Sequence, residues 1–421
     1  MPNYIALAVP FFFLLMGLEV WAARLRGVRV YRLNDAVSDL SAGIFQQIGL
    51  VFLKVGILLA YTWVFEHARI LDLPSGVPTF LLALVLVDVL YYGWHRLSHE
   101  VNLLWAAHVV HHSSEEYNLA VALRQGVLTP LTSLPFYLPL AVLGIPPLAF
   151  GLADAVSTLY QFWIHTRLVG KLGSVEGVLN TPSAHRVHHG INPRYLDRNY
   201  GAILVVWDRL FGSYEPEGEE VVYGLVKPLR SFQPFRAQFH FFGELASRMS
   251  ATPRLADRLR VLVKGPEWTP PGMAPLPQPE PVSPSTFVKH DPPLAAGLAP
   301  YLVVQVGIAV AGATALMYLE NALPLPQLVA GAALVFVTLA GWGGFLEGRR
   351  WALPLELARL ALLVGLAAFM TWGTPRGVPV VAATALLAAV LAAWALAVHA
   401  EPLAQLGQAP PRHRAGRGRG R

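Results

Sequence analysis

Apolar residues in this chain fall in long unbroken blocks, without strand-like alternation. Residues 7–22 are apolar apart from Glu19, and Arg24, Arg26, Arg29 and Arg32 follow. A cleaved signal peptide carries its charge before the apolar run, so this block reads as a retained first membrane span. A second span is expected over residues 43–65 and a third over 77–94. Two more form a hairpin between residues 128 and 163, turning at Gly144-Ile145-Pro146-Pro147. Residues 165–264 are mixed and polar, with no apolar run of the ~18–20 residues that a crossing needs. Residues 265–293 are rich in proline and read as an extended linker. Four further spans are expected over 294–319, 325–346, 353–372 and 378–398. The last segment, 401–421, ends in alternating Arg and Gly and is expected to be a disordered cytoplasmic tail.

These blocks predict an all-α polytopic membrane protein of about nine spans. It divides into a catalytic unit at 1–264, the linker at 265–293, a four-span module at 294–400 and the basic tail. If the arginines after the first span are cytoplasmic, nine spans put residues 165–264, Arg349, Arg350 and the tail on the same side. That is the arrangement in which positive charge collects in cytoplasmic loops. Composition agrees with membrane embedding: 54% of the 421 residues are apolar and only 14% charged, against about 25% charged in soluble domains. A soluble core of this size could not bury so much apolar surface. The net charge of +6 is then a loop property, and no nucleic-acid partner is inferred from it. The chain has no cysteine, which excludes disulfides, thiolate metal sites, iron–sulfur clusters and thiol nucleophiles.

The chemistry lies in the histidines. Of 14, nine fall between His95 and His189. His95 and His99 continue the third span, His108, His111 and His112 form a second set, and His185, His188 and His189 a third, with His165 alone after the hairpin. Positions three and four apart share a helix face, so each set is a chelating face just outside the membrane. Unpaired, such clusters would repel when charged and leave buried polar groups unsatisfied when neutral. His67, His240, His290, His399 and His413 belong to no such set and read as interfacial or surface polar groups. Nine imidazoles exceed what one ion takes, and a structural zinc site needs four ligands. Two ions, each with four or five nitrogens and an open position, fit the number. Imidazole suits iron among others, and an open two-iron site can activate O2 beside a membrane that holds apolar substrates. Soluble di-iron bundles use Glu and Glu-x-x-His helices instead, a pattern absent from this chain.

With those residues in place, the chain resembles the fatty acid hydroxylase/sterol desaturase superfamily of membrane di-iron enzymes. The resemblance rests on His-x3-His, His-x2-His-His, a final His-x2-His-His and Trp207-Asp208-Arg209-Leu210-Phe211-Gly212. A narrower similarity, to the ether-lipid-cleaving branch, is carried by His111-His-Ser-Ser-Glu-Glu-Tyr-Asn118, Ala122-Leu-Arg-Gln125, Gln161-Phe-Trp-Ile-His-Thr166 and Asn199-Tyr-Gly201. It is dense over residues 80–230. The resemblance implies that His95, His99, His108, His111, His112, His165, His185, His188 and His189 bind iron. Glu100 matches an acidic residue that follows the family's first box and reads as a catalytic group that supports the ligands or handles oxygen, the plainer reading being an interfacial carboxylate paired with Arg96. Family members often carry a further histidine where this chain has Ala184, so that position is not required. The implied activity is O2-dependent hydroxylation of a lipid, giving a hemiacetal next to an ether oxygen. Tetrahydrobiopterin is the reductant implied by the narrower similarity. No nucleotide- or flavin-binding motif is evident in the chain, so an external electron donor is required.

Glu115, Glu116, Asn180, Asp197 and Asn199 are candidates to orient imidazoles through the second ring nitrogen. Asp154, inside the hairpin, is either functional or interfacial. Tyr91, Tyr92, Trp94, Tyr160, Phe162 and Trp163 read most simply as an interfacial belt. Three rivals stand beside the ether-lipid reading. One is a sterol, carotenoid or fatty acyl hydroxylase or desaturase of the same superfamily. The others are a metal transporter and a structural membrane protein whose metal only clamps the cap. Against transport, the histidines lie outside the spans.

Overall fold

A computed structural model describes residues 4–276 and 281–406. Residues 277–280 of the expected linker and the tail from residue 407 onward lie outside the described residues. Among those described, the chain is helical, with isolated bridges in place of strands. The helices are α1 (Tyr4–Leu25), α2 (Leu33–Ala68), α3 (Val77–Glu100), α4 (Asn102–His112), α5 (Leu119–Ala122), α6 (Thr129–Leu143), α7 (Pro147–Trp163), α8 (Pro182–His188), α9 (Val206–Phe211), α10 (Pro234–Ala251), α11 (Leu255–Val263), α12 (Leu298–Leu319), α13 (Leu325–Leu346), α14 (Ala352–Thr371) and α15 (Gly377–Leu406).

Seven of these, α1, α2, α3 and α12 to α15, are long and apolar enough to cross a membrane. The expected hairpin is present as α6 and α7, but its arms have 15 and 17 residues. At 1.5 Å per residue they extend about 22 and 25 Å, short of a ~30 Å hydrocarbon layer. One end of the hairpin meets Gln46 of α2, whose amide donates to the Gly126 carbonyl. The other meets Tyr61, whose hydroxyl donates to the Ile145 carbonyl at 3.0 Å. The turn is tight because Gly144 adopts a φ of +102° and packs against the Leu71 carbonyl, where a Cβ would sit 2.0 Å from that oxygen.

Helix α2, at 36 residues, is about 54 Å long and outreaches the bilayer. Its first turns are polar yet buried: Asn34, Asp35, Ser38, Asp39 and Ser41. They enter a cap built by α4, α5 and α8 to α11 together with the end of α3. Asp39 there meets Arg124 at 3.1 Å, both fully buried. The described part of the proline-rich linker is strapped to this cap. Lys289 pairs with Glu116, the His290 amide donates to Glu115, and Asp291 accepts from Asn34.

The C-terminal helices pack on the rest of the bundle. α12 lies against α1 and α2, and α13 against α2 and α10. A single apolar cluster joins Phe12, Val37 and Phe162 to Leu302, Trp342 and Leu391. Lys54 of α2 pairs with Glu320 at the end of α12, and Glu347 accepts from the Ser231 hydroxyl and the Phe232 amide.

Candidate metal centre

The three histidine sets converge. The tail of α3 carries His95 and His99, and Val101 breaks the helix so that α4 turns back beside it with His108, His111 and His112. His165 follows the end of α7, and α8 brings His185, His188 and His189 over the top. Thr181 caps α8, its hydroxyl accepting from the Ala184 amide, with Pro182 in the first turn. Arg186, between the histidines of α8, pairs with Glu217 at 2.6 Å and donates to the Thr166 and Val169 carbonyls. That tie fixes α8 against the segment after α7.

All nine imidazoles are buried and sort into two groups. In one, His95, His99, His108, His112 and His188 bring a ring nitrogen each within 4.8 Å of one another; in the other, His111, His165, His185 and His189 do so. The hydrogen bonds on the far ring atoms fix several tautomers. The Nδ1 atoms of His95, His111, His165 and His188 face the carbonyls of Tyr200, Arg124, Gln161 and Arg198 at 2.7–2.9 Å. A carbonyl only accepts, so each Nδ1 donates, and the neutral ring then presents a bare Nε2 lone pair. The bare Nε2 atoms of His111 and His165 are 3.3 Å apart. Two lone pairs at that distance repel unless a cation lies between them. Elsewhere His95 and His108 bring their Nε2 atoms to 2.9 Å, and His165 and His185 to 3.1 Å. The Nε2 atoms of His99, His188 and His189 are buried with no hydrogen-bond partner. This donor set fits metal ions, and its all-nitrogen character suits iron, zinc or copper.

Burial favours the neutral form of most of these rings, the form that binds metal. It lowers His111 to about 4, a shift moderated by the bond to the Arg124 carbonyl. Burial first, then neighbouring imidazoles, keeps His108, His112, His165, His185, His188 and His189 well below the ordinary imidazole range.

Glu100 lies in neither group. It is exposed at the end of α3 and pairs with Arg96 at 2.8 Å. Of the carboxylates and amides expected to orient imidazoles, Asp197 reaches a ring, 3.5 Å from His99 Nδ1. Asn180 and Asn199 act on backbone instead: the Asn180 amide donates to the Gly201 carbonyl and that of Asn199 to the Ala184 and Glu215 carbonyls. Glu116 faces Arg32, Arg167 and Lys289. His67, His240 and His399 bond carbonyls of their own helices, and His413 lies outside the described residues.

Several positioning residues were not singled out from sequence. Asp208 accepts from the Tyr200 and Gly201 amides and the Ser213 hydroxyl at 2.7–2.8 Å. It thereby fixes the turn whose Tyr200 carbonyl orients His95, which gives the Trp207–Gly212 motif a physical purpose. Asp88 of α3 accepts from the Ile203 amide and the Trp207 indole, tying the same loop to α3. Arg124 donates to Ser38, Asp39, Ser113 and the Val110 carbonyl, which sets the carbonyl that orients His111. The motif runs carried the signal for Asp208 and Arg124; their partners are distant backbone atoms that no spacing reveals.

A cavity of about 340 Å³ opens beneath the two groups and is lined at one end by His108, His111 and His165. Tyr91, Trp94 and Phe162 line it too, so half of the expected aromatic belt faces the cavity. Asp154 also lies on its wall, with Tyr137, Ser157 and Gln161.

The stretch that holds all nine of these histidines is the one matched by the fatty acid hydroxylase family model, residues 80–213. The chain is similar to human alkylglycerol monooxygenase, with 44% identity over 64% of this chain and 61% of the human protein. It is 37% identical to the proteins of the same name from Danio rerio and Xenopus tropicalis, each time over 86% of this chain and 82% of the relative. The chain belongs to the alkylglycerol monooxygenase family and is a membrane oxidoreductase of the hydroxylase type. No solved structure matches it.

Proposed function

We propose that the protein hydroxylates an O-alkyl glycerolipid at the alkyl carbon next to the ether oxygen. The resulting hemiacetal breaks its C–O bond to release an aldehyde and a glycerol lipid. The observation that carries this reading is the cavity that joins both imidazole groups to the membrane helices. In the reading, His95, His99, His108, His112 and His188 hold one iron and His111, His165, His185 and His189 the other. Two such irons supply O2 activation, with electrons from an external donor for which tetrahydrobiopterin is our candidate. The chain's own residues do the positioning. Carbonyls of Tyr200, Arg124, Gln161 and Arg198 aim the imidazoles, and second-sphere contacts of this kind typically matter 10- to 100-fold. Burial of the rings keeps water from the reacting carbon, while Tyr91, Ser157 and Gln161 offer polar contacts to the glycerol end. Glu100 keeps to its ion pair with Arg96.

We place the histidine cap on the cytoplasmic side. Arg24 lies in the last turn of α1, Arg26, Arg29 and Arg32 sit between α1 and α2, and Arg349 and Arg350 between α13 and α14. Whether the hairpin α6–α7 crosses fully or enters and returns, its two ends share a side. Nine crossings and seven therefore give the same orientation of the cap, and the basic loops agree with it.

The test is product analysis of the purified, iron-loaded protein with an alkylglycerol, O2 and a reduced pterin. One fatty aldehyde per ether consumed is expected. An intact ether with a new hydroxyl or double bond elsewhere would favour a sterol, carotenoid or acyl-chain hydroxylase or desaturase instead.

A further inference from the structure

The cavity has two unlike walls. The wall from α3, α6 and α7 carries Tyr91, Ser133, Tyr137, Asp154, Ser157 and Gln161, whereas that from α1, α2 and α12 carries mainly apolar groups, including Phe13, Ile44, Leu50, Val310 and Met317. Helix α12 lies beyond the segment that the hydroxylase family model matches. It begins beside the cap and runs away from it, and its Val310, Ala313, Thr314 and Met317 line the cavity. Ala313 and Met317 are themselves buried against Ile48 and Val51 of α2. The ion pair between Lys54 and Glu320 pins this end of α12 to α2, so the wall does not yield easily.

We propose that α12 closes the far end of the substrate cavity and selects lipids by the length of their alkyl tail. The proposal rests on the lipid-hydroxylating reading given above. With the reacting carbon at the histidine end, the tail points down the apolar wall toward Ala313 and Met317. A tail gains little from burial as such, because bilayer and cavity are equally apolar. Selection therefore comes from fit: a tail too long for the space must fold or push side chains aside, as an overpacked core does. The small Ala313 leaves room that a larger residue would remove.

The experiment compares the full-length protein with Ala313→Phe and Met317→Ala, using alkylglycerols with decyl, tetradecyl and octadecyl chains. Metal content and melting temperature of each variant establish that it is folded. Ala313→Phe should lower the octadecyl-to-decyl ratio of kcat/KM roughly ten-fold or more, and Met317→Ala should shift preference toward longer chains. Thermal stabilisation by straight-chain alkanols of the same lengths reads tail binding without turnover. If no alkylglycerol is consumed, the substrate reading fails while the alkanol series still decides the tail proposal. Unchanged length profiles in folded variants would overturn it, as would altered headgroup preference with length preference intact. Should Ala313→Phe not fold, Met317→Ala alone carries the decision.

Discussion

The histidine cap and the C-terminal bundle both bury polar groups, and the state of those groups differs. In the bundle, Glu356 accepts from the Tyr301 hydroxyl and from Arg359, 2.8 Å away at its Nε, and Arg359 in turn donates to Gln305. That cluster is closed on itself. In the cap, the Nδ1 atoms of His95, His111, His165 and His188 are tied to carbonyls, and the bare Nε2 atoms of His111 and His165 face one another with no donor between. A closed buried network fixes packing, and an open set of lone pairs is a donor set for a cation. The comparison separates structure from chemistry in a chain where hydropathy alone treats both regions alike.

The strongest way to break it is to remove imidazoles. His111→Ala and His188→Ala should abolish turnover, while His240→Ala and His399→Ala should leave most of it, as measured on folded protein with the alkylglycerol assay. Loss in all four would erase the division between clustered and single histidines. Next in size is the bundle's ion pair. Arg359→Met leaves the buried Glu356 unpaired and should cost about 3–5 kcal/mol, read as a fall in detergent melting temperature with metal content unchanged. The double variant Glu356→Gln/Arg359→Met should recover part of the loss, because no buried charge remains unpaired. A drop in metal content instead would mean that the two regions are coupled.

A smaller effect is expected at the turn that orients His95. Asp208→Asn keeps the shape but weakens acceptance from the Tyr200 and Gly201 amides, and metal affinity or kcat/KM should fall 10- to 100-fold. Equilibrium binding of the metal measures this directly. The most graded effect is that of pH. An unfolded chain protonates its histidines near 6.5, whereas burial keeps the rings of α4 and α8 neutral well below that, to about 4 for His111. The unfolded state thus binds more protons, and stability present above pH 6.5 is lost as the pH falls through it. Each such histidine contributes up to about 1.4 kcal/mol per pH unit. Denaturant midpoints between neutral pH and pH 5 should fall steeply, and a flat profile would contradict the buried neutral cluster.

Much of this was legible in sequence because spacing carries it. The three- and four-residue intervals of His95/His99, His108/His111/His112 and His185/His188/His189 marked the histidines that the structure brings together. The two-way sorting did not follow from spacing: His111 and His112 are neighbours in sequence but point into different groups, since adjacent helical positions lie about 100° apart. The long apolar blocks gave α1 and α12 to α14 closely. The hairpin over residues 128–163 was legible as well, since Gly144 ends α6 and Pro146-Pro147 opens α7. Tyr91, Trp94 and Phe162 were read as a belt because hydropathy is the same for a wall facing lipid and one facing a cavity. The Lys54–Glu320 pair, linking positions 266 residues apart, left no local trace.

The central claim is that nine histidines of one chain hold two metal ions. Elemental analysis of the purified full-length protein, expressed with iron supplied, tests it most directly. The account predicts close to two ions per chain, falling in His188→Ala and His111→Ala. One ion per chain in a folded, active preparation would contradict it.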